Sequence, residues 1–213
     1  HRLLARTDAL GRTTRYVHDQ AGNLVELVRP DGTVARSEYD DRGRPLVVVE
    51  PTGAVWRHEY DAAGHLAATT DPMGGRTSYE YDARGNRIAT TDALGNVTRV
   101  EYNAAGLPVG MTDPSGAVTR YARDLFGRLT SVTGPTGAVT SFTWTVEGKP
   151  LARTLPDGTV ERWSYDAMGN LVERVDAAGL EVRTEVGAFS RPVSRTGQDG
   201  ARMMFRYDTE LRL

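Results

Sequence analysis

The sequence predicts an all-β chain, an array of 21-residue antiparallel β-hairpin repeats forming a long curled or spiralling meander sheet. Three observations carry that prediction. Glycine recurs in one strict phase, at Gly11, Gly32, Gly53, Gly74, Gly95, Gly116, Gly137, Gly158, Gly179 and Gly200, and self-similarity at a fixed period marks a repeat architecture. A second motif, Tyr81-Asp82-Ala83-Arg84-Gly85-Asn86, returns on the same beat half a repeat away. Between the two turns lie six or seven residues each way, a length that suits strands and is short for helices.

Each turn has a mechanism. In Asp-x-x-Gly the carboxylate accepts from backbone N–H groups two residues on, and Gly takes the positive φ that closes a type I turn into a bulged hairpin. The Tyr-Asp slots begin at His18-Asp19 to Gly22 and continue with Tyr39-Asp40 to Gly43, Tyr60-Asp61 to Gly64, Tyr81-Asp82 to Gly85 and Tyr102-Asn103 to Gly106. The middle drifts. Arg123-Asp124 to Gly127 loses the aromatic, Trp144-Thr145 to Gly148 loses the carboxylate, and Tyr165-Asp166 to Gly169 recovers both. Val186-Gly187 to Ser190 and Tyr207-Asp208 to Leu211 lack the turn Gly, so other turns are expected there. In the second slot the first position reads Asp8, Arg29, Glu50, Asp71, Asp92, Asp113, Gly134, Leu155, Asp176 and Gly197 while its Gly never varies. Backbone conformation is therefore the fixed requirement there and the side-chain cap is optional. The turn positions singled out as structural are Asp40, Gly43, Gly53, Asp61, Gly64, Gly74, Asp82, Gly85, Gly95, Gly116, Asp166 and Gly169.

The strands before the Tyr-Asp slots alternate. Trp56, His58 and Tyr60 point one way, as do Thr77, Tyr79 and Tyr81, Phe142 with Trp144, and Trp163 with Tyr165, against Val55, Arg57 and Glu59 on the other face. After the turn, proline holds one phase at Pro45, Pro108, Pro150 and Pro192, which implies a shared position whose N–H makes no ladder bond. About twenty strands joined by short turns must be antiparallel neighbours, and a sheet that wide should curl, because each strand rotates ~20–25° from the last. An aromatic row gains its full burial only when covered.

Composition narrows the function. The 213 residues carry a net charge of −2, with 39% apolar residues and no cysteine, which excludes a disulfide framework and a thiolate metal site and gives no field that would gather nucleic acid. The only lysine is Lys149, so the basic residues are arginines, a usage that reads as codon bias. The longest aliphatic run, Leu46-Val47-Val48-Val49, is far short of a membrane span. Opening at His1 and stopping at Leu213 inside a turn slot, the chain reads as a segment of a longer protein, one repeat array over 1–213, with targeting signals elsewhere. His18 and His58 stand in for aromatics in phase, His65 sits where other repeats have Asn, and the phased aspartates have turn capping as sufficient cause. No cofactor, metal or catalytic group is therefore assigned, and the chain is read as no enzyme.

Tyr-Asp-x-x-Gly-Asn-Leu followed by Asp-x-x-Gly, on this period, resembles the YD repeat of the Rhs family, which includes bacterial Rhs and other polymorphic toxins, the shells of insecticidal toxin complexes, and teneurins. The resemblance implies a wall segment of a spiralling β-shell that encloses a C-terminal toxin, secreted or associated with the cell envelope of a bacterium. Its partners would be the rest of the parent shell and the enclosed cargo. The first and last strands of such an excised arc present unpaired edges, which predict self-association with another copy. The Asp-Pro-x-Gly-Leu self-cleavage signature of that family is missing: Asp71-Pro72-Met73-Gly74 and Asp113-Pro114-Ser115-Gly116 fall in the ordinary turn phase without the Leu. A second reading, a cell-surface carbohydrate- or choline-binding adhesion module, would use Trp56, Trp144 and Trp163 as stacking platforms.

Overall fold

A computed structural model describes residues 2–208; His1 and residues 209–213, including the closing Leu211 of the last Tyr-Asp slot, lie outside the described residues. The chain divides into two units, His1–Glu101 with Thr112–Ser115, and Tyr102–Met111 with Gly116–Leu213.

The first unit is a meander of β1 (Ala5–Thr7), β2 (Thr13–His18), β3 (Leu24–Val28), β4 (Val34–Tyr39), β5 (Pro45–Val49), β6 (Val55–Tyr60), β7 (Leu66–Thr70), β8 (Arg76–Tyr81), β9 (Arg87–Thr91) and β10 (Val97–Tyr102). Each strand pairs antiparallel with the next. Following β11 (Pro108–Thr112), the second unit continues with β12 (Val118–Arg123), β13 (Leu129–Thr133), β14 (Val139–Trp144), β15 (Pro150–Thr154), β16 (Val160–Tyr165), β17 (Leu171–Val175), β18 (Glu181–Val186), β19 (Pro192–Gly197) and β20 (Arg202–Met204). From β12 onward the sequential antiparallel pairing is unbroken. Among the described residues there is no α-helix, only a three-residue 3-10 turn at Ala188–Ser190, and no helix long and apolar enough to cross a membrane.

The two hairpin types differ in register. Across every Tyr-Asp turn with a described register the pairing shifts by one residue. Glu38 faces Val47 but Tyr39 faces Pro45, which leaves Leu46 as the extra residue of a β-bulge, and the same shift recurs at Glu59/Tyr60, Glu80/Tyr81, Thr143/Trp144 and Ser164/Tyr165. The hairpins of the second slot have no shift but are short: β5 and β6 pair only through Val47–Arg57, Val48–Trp56 and Val49–Val55. Beyond those three pairs the strands leave the ladder, on the side where the bulge has put them out of step. The phased prolines sit in that gap, each as the first residue of its strand, where a missing N–H costs nothing.

Burial departs from a simple apolar-in pattern. Among the described residues the substantial contacts within each unit run between strands adjacent in sequence, so the aromatic row is half-buried by its cross-strand neighbours. The most buried residues are instead small ones on the polar face: Ala68, Ala89 and Ser194. Ala68 faces Glu59 and Ser78, and Ala89 faces Glu80 and Arg99, in the ladders. Cross-strand ion pairs join strands on that face, as in Arg36–Glu26 at 3.0 Å and Arg76–Glu59 at 2.9 Å, the second reaching from β8 to β6 across β7, which carries Ala68.

Candidate functional site

The feature built most consistently along the chain is the edge formed by the Tyr-Asp turns. In the Asp82 turn, Gly85 N–H donates to the Asp82 carbonyl at 3.0 Å and Asp82 N–H donates to the Asn86 carbonyl at 3.0 Å. The Asp82 carboxylate then takes the remaining donors: Oδ1 accepts from the N–H groups of Arg84 and Asn86, both at 2.9 Å, and Oδ2 accepts from the Asn86 amide at 2.8 Å. The Asn86 side chain and then its N–H hold the Asp82 carboxyl below its ordinary range. Asp40 makes the same turn with Arg44, whose N–H and then guanidinium lower it. At Asp61 partial burial pulls upward, but the bonds from the His65 ring and backbone and from Gly64 outweigh it. Asp166 repeats the Asp82 arrangement with Asn170.

The structure places the sequence-predicted aspartates and glycines at these turns. Gly43, Gly64, Gly85 and Gly169, and Gly53, Gly74, Gly95 and Gly116, all take positive φ. The two sets differ in crowding. A Cβ on Gly95 would meet nothing within 4 Å, whereas one on Gly85 would lie 3.0 Å from Nε2 of His65, a residue of the preceding turn. Side by side, the turns therefore form a column: His65 stacks on Tyr81 at 4.7 Å, and the Arg44 guanidinium lies over the Tyr60 ring at 4.3 Å. In the second unit the Arg128 guanidinium reaches the Thr145 carbonyl at 2.7 Å, and the Lys149 ammonium reaches the Gly169 carbonyl.

The cap of the second slot proves less optional than the sequence implies. In three of the five slots whose first residue is no Asp, an Asp two positions later takes over: Thr33 N–H donates to Asp31 and Thr159 N–H to Asp157, each at 2.9 Å, and Ala201 N–H to Asp199 at 2.9 Å, whereas the Glu50 and Gly134 slots have Thr52 and Thr136 there.

A lock between repeats went unread in the sequence. In the first unit the Tyr of three successive Tyr-Asp slots donates its hydroxyl to a backbone carbonyl fifteen residues upstream: Tyr39 to Leu24, Tyr60 to Pro45 and Tyr81 to Leu66, all at 3.0 Å. These carbonyls belong to the strand ends that have left the ladder, so the hydroxyl satisfies a group that secondary structure has abandoned. At two slots that lose the Tyr a donor stays: Arg123 Nε reaches the Pro108 carbonyl at 3.0 Å and Trp144 Nε1 reaches that of Leu129 at 2.6 Å. Val186 has no side-chain donor, and Tyr207 keeps its hydroxyl on the Pro192 carbonyl at 3.0 Å. A signal was present: this phase reads Tyr, Arg or Trp from 39 to 165 and never Phe, although the chain has four Phe. Tyr165 makes no such bond among the described residues, and its ring lies under the Lys149 ammonium at 5.1 Å.

The three tryptophans occupy three different positions of the repeat. Trp144 is spent on the lock, Trp56 donates to Glu50 at 3.2 Å, and Trp163 pairs with Arg174 across the ladder. They do not recur as one row of equivalent platforms. Among the described residues no group of three His, Cys, Asp or Glu side chains could hold a metal ion.

Clamped hairpins on a fixed period, tied by inter-repeat locks, define a β-repeat protein. The RHS repeat family model matches residues 1–34, 39–72, 60–97, 102–139, 123–160 and 144–181, and the chain belongs to the RHS repeat family. No curated protein sequence matches it significantly. Solved structures do: a crystal structure of TcdB2-TccC3-Cdc42 (TM-score 0.53, 16% identity, 97% of this chain and 16% of that one) and one of TcdB2-TccC3 without its hypervariable C-terminal region (0.53, 16%, 96% and 15%). The Tc holotoxin pore of Photorhabdus luminescens is similar as well (TM-score 0.51, 16% identity, 91% and 14%). At this identity the likeness shows the fold, and the chain spans about a sixth of the length of the first of these proteins.

Proposed function

We propose that the chain is a non-catalytic wall segment of an RHS shell that encloses a polypeptide toxin and carries it for secretion or delivery. One observation carries this reading. The turns are joined to their neighbours by backbone-directed locks that survive the loss of Tyr at Arg123 and Trp144, which is what a load-bearing sheet requires and a set of independent binding sites does not. Family membership and the likeness to Tc toxin components support a shell-type role. In this reading the repeats of 1–213 form one curled array, its partners are the remaining repeats of the parent protein and the enclosed cargo, and the parent is exported from a bacterium. Limited proteolysis of the full-length parent tests it. The segment that follows the repeats should resist protease until denaturant opens the shell; digestion at the rate of the isolated segment would overturn enclosure.

A further inference from the structure

The rim of Tyr-Asp turns in the second unit carries side chains that turn chemistry does not ask for. Tips of reversals are ordinarily polar. Here Leu125 and Phe126, Val146, Met168 and Phe189 occupy the two central positions of four consecutive turns, each more than three-quarters exposed. In the first unit the same positions read Gln20-Ala21, Asp41-Arg42, Ala62-Ala63 and Ala83-Arg84. The apolar tips are contiguous, because the bonds from Arg128 to Thr145 and from Lys149 to Gly169 hold the first three of these turns side by side. The fourth presents Phe189 from a left-handed backbone, φ 57° at Phe189 and 55° at Ser190, a conformation that residues other than Gly avoid.

We propose that this rim is a self-association surface, on which a second copy of the chain docks rim to rim. Two features select that occupant. The five side chains expose on the order of 150 Å² each, roughly 750 Å² per copy, close to the ~800 Å² that each partner contributes to a stable interface. The charges along the rim also balance: Asp124, Glu147 and Asp166 stand among Arg128, Lys149 and Arg191, with Arg128 bound to Asp124 at 2.7 Å. A copy therefore meets its own rim without the like-charge repulsion that would oppose an isologous contact. The outer strands are weaker candidates, since β1 and β20 are three residues long and short edges pair poorly.

Sedimentation equilibrium of this chain decides the matter. Wild type should reach dimer mass by about 100 μM, the weak end for an interface of this area. The double variant Phe126→Ser with Phe189→Ser, altered only at exposed tips, should keep the wild-type circular dichroism and show an apparent Kd at least tenfold higher. Met203→Lys, which puts a charge on β20, should leave dimerisation unchanged. A wild type that stays monomeric, a rim variant that dimerises as wild type does, or a dimer lost in Met203→Lys would overturn the proposal.

Discussion

Replacing Tyr81 with Phe keeps the ring that stacks on His65 and removes only the hydroxyl that donates to the Leu66 carbonyl at 3.0 Å. A hydrogen bond of this kind contributes about 1 kcal/mol net, and the carbonyl left behind raises the cost toward ~1–3 kcal/mol if water cannot reach it. Leu66 and Tyr81 are both half-buried, so water reaches the site in part and the expected loss is about 1 kcal/mol. For a chain of this size that lowers the midpoint of thermal unfolding by roughly 2–4 °C. Because repeat arrays need not unfold in one step, local hydrogen exchange is the cleaner assay: amides at the β7–β8 ends nearest the lock should exchange about fivefold faster. Trp144→Phe, which deletes Nε1–H and replaces the indole by a smaller ring, should lose at least as much in the second unit. Arg123→Met should lose more, since its guanidinium also serves the Gly127 carbonyl at 2.8 Å. If Tyr81→Phe and Trp144→Phe both left stability and exchange unchanged, the lock would be geometry without energy and the reasoning would fail.

Further outcomes follow from the turns. Ser190→Gly should stabilise the chain by about 1 kcal/mol in urea unfolding, since Gly relieves the left-handed strain at φ 55°. Gly95→Ala should cost ~1–2 kcal/mol through φ alone, while Gly85→Ala should cost more because its new methyl crowds His65, an excess that His65→Ala should remove in a double-mutant cycle. The turn aspartates also predict a pH dependence. Asp40, Asp82 and Asp166 have lowered folded pKa values, so the stability they confer is complete above the unfolded value near 3.8 and is lost as the pH falls through the depressed folded values. Thermal midpoints should therefore drop steadily below about pH 4. Asp82→Asn should flatten that drop, as Asn103 already caps its own turn with an amide oxygen that accepts from Ala105 and Leu107.

Much of the fold was legible because its signals are local. Glycine at positive φ, Asp caps and alternation all act within six residues, and they place the turns, the strands and the phased prolines. The Tyr lock was hidden because it joins residues fifteen apart through a strand register that local signals leave open. That register depends on the bulge at Leu46 and its equivalents, which no residue type announces. The burial of Ala68 was hidden for a related reason: a small residue on a polar face looks solvent-exposed until the Arg76–Glu59 pair is seen to join the strands on either side of it. Likewise the shift of the cap from position one to position three, as in Arg29-Pro30-Asp31-Gly32, becomes legible only once the Asp31 carboxylate is seen to accept the Thr33 N–H.

The central claim is that one clamped turn, repeated on a fixed beat, holds the sheet whatever its side chains. Residue-resolved hydrogen exchange across the whole chain tests it most directly. The account predicts slow exchange at the N–H of the first residue and of the Gly of every slot that Gly closes, recurring every 21 residues and including the divergent Asn103, Asp124 and Thr145 slots, with fast exchange at the tips between. Protection that fails at the divergent slots, or that follows any other period, would contradict it.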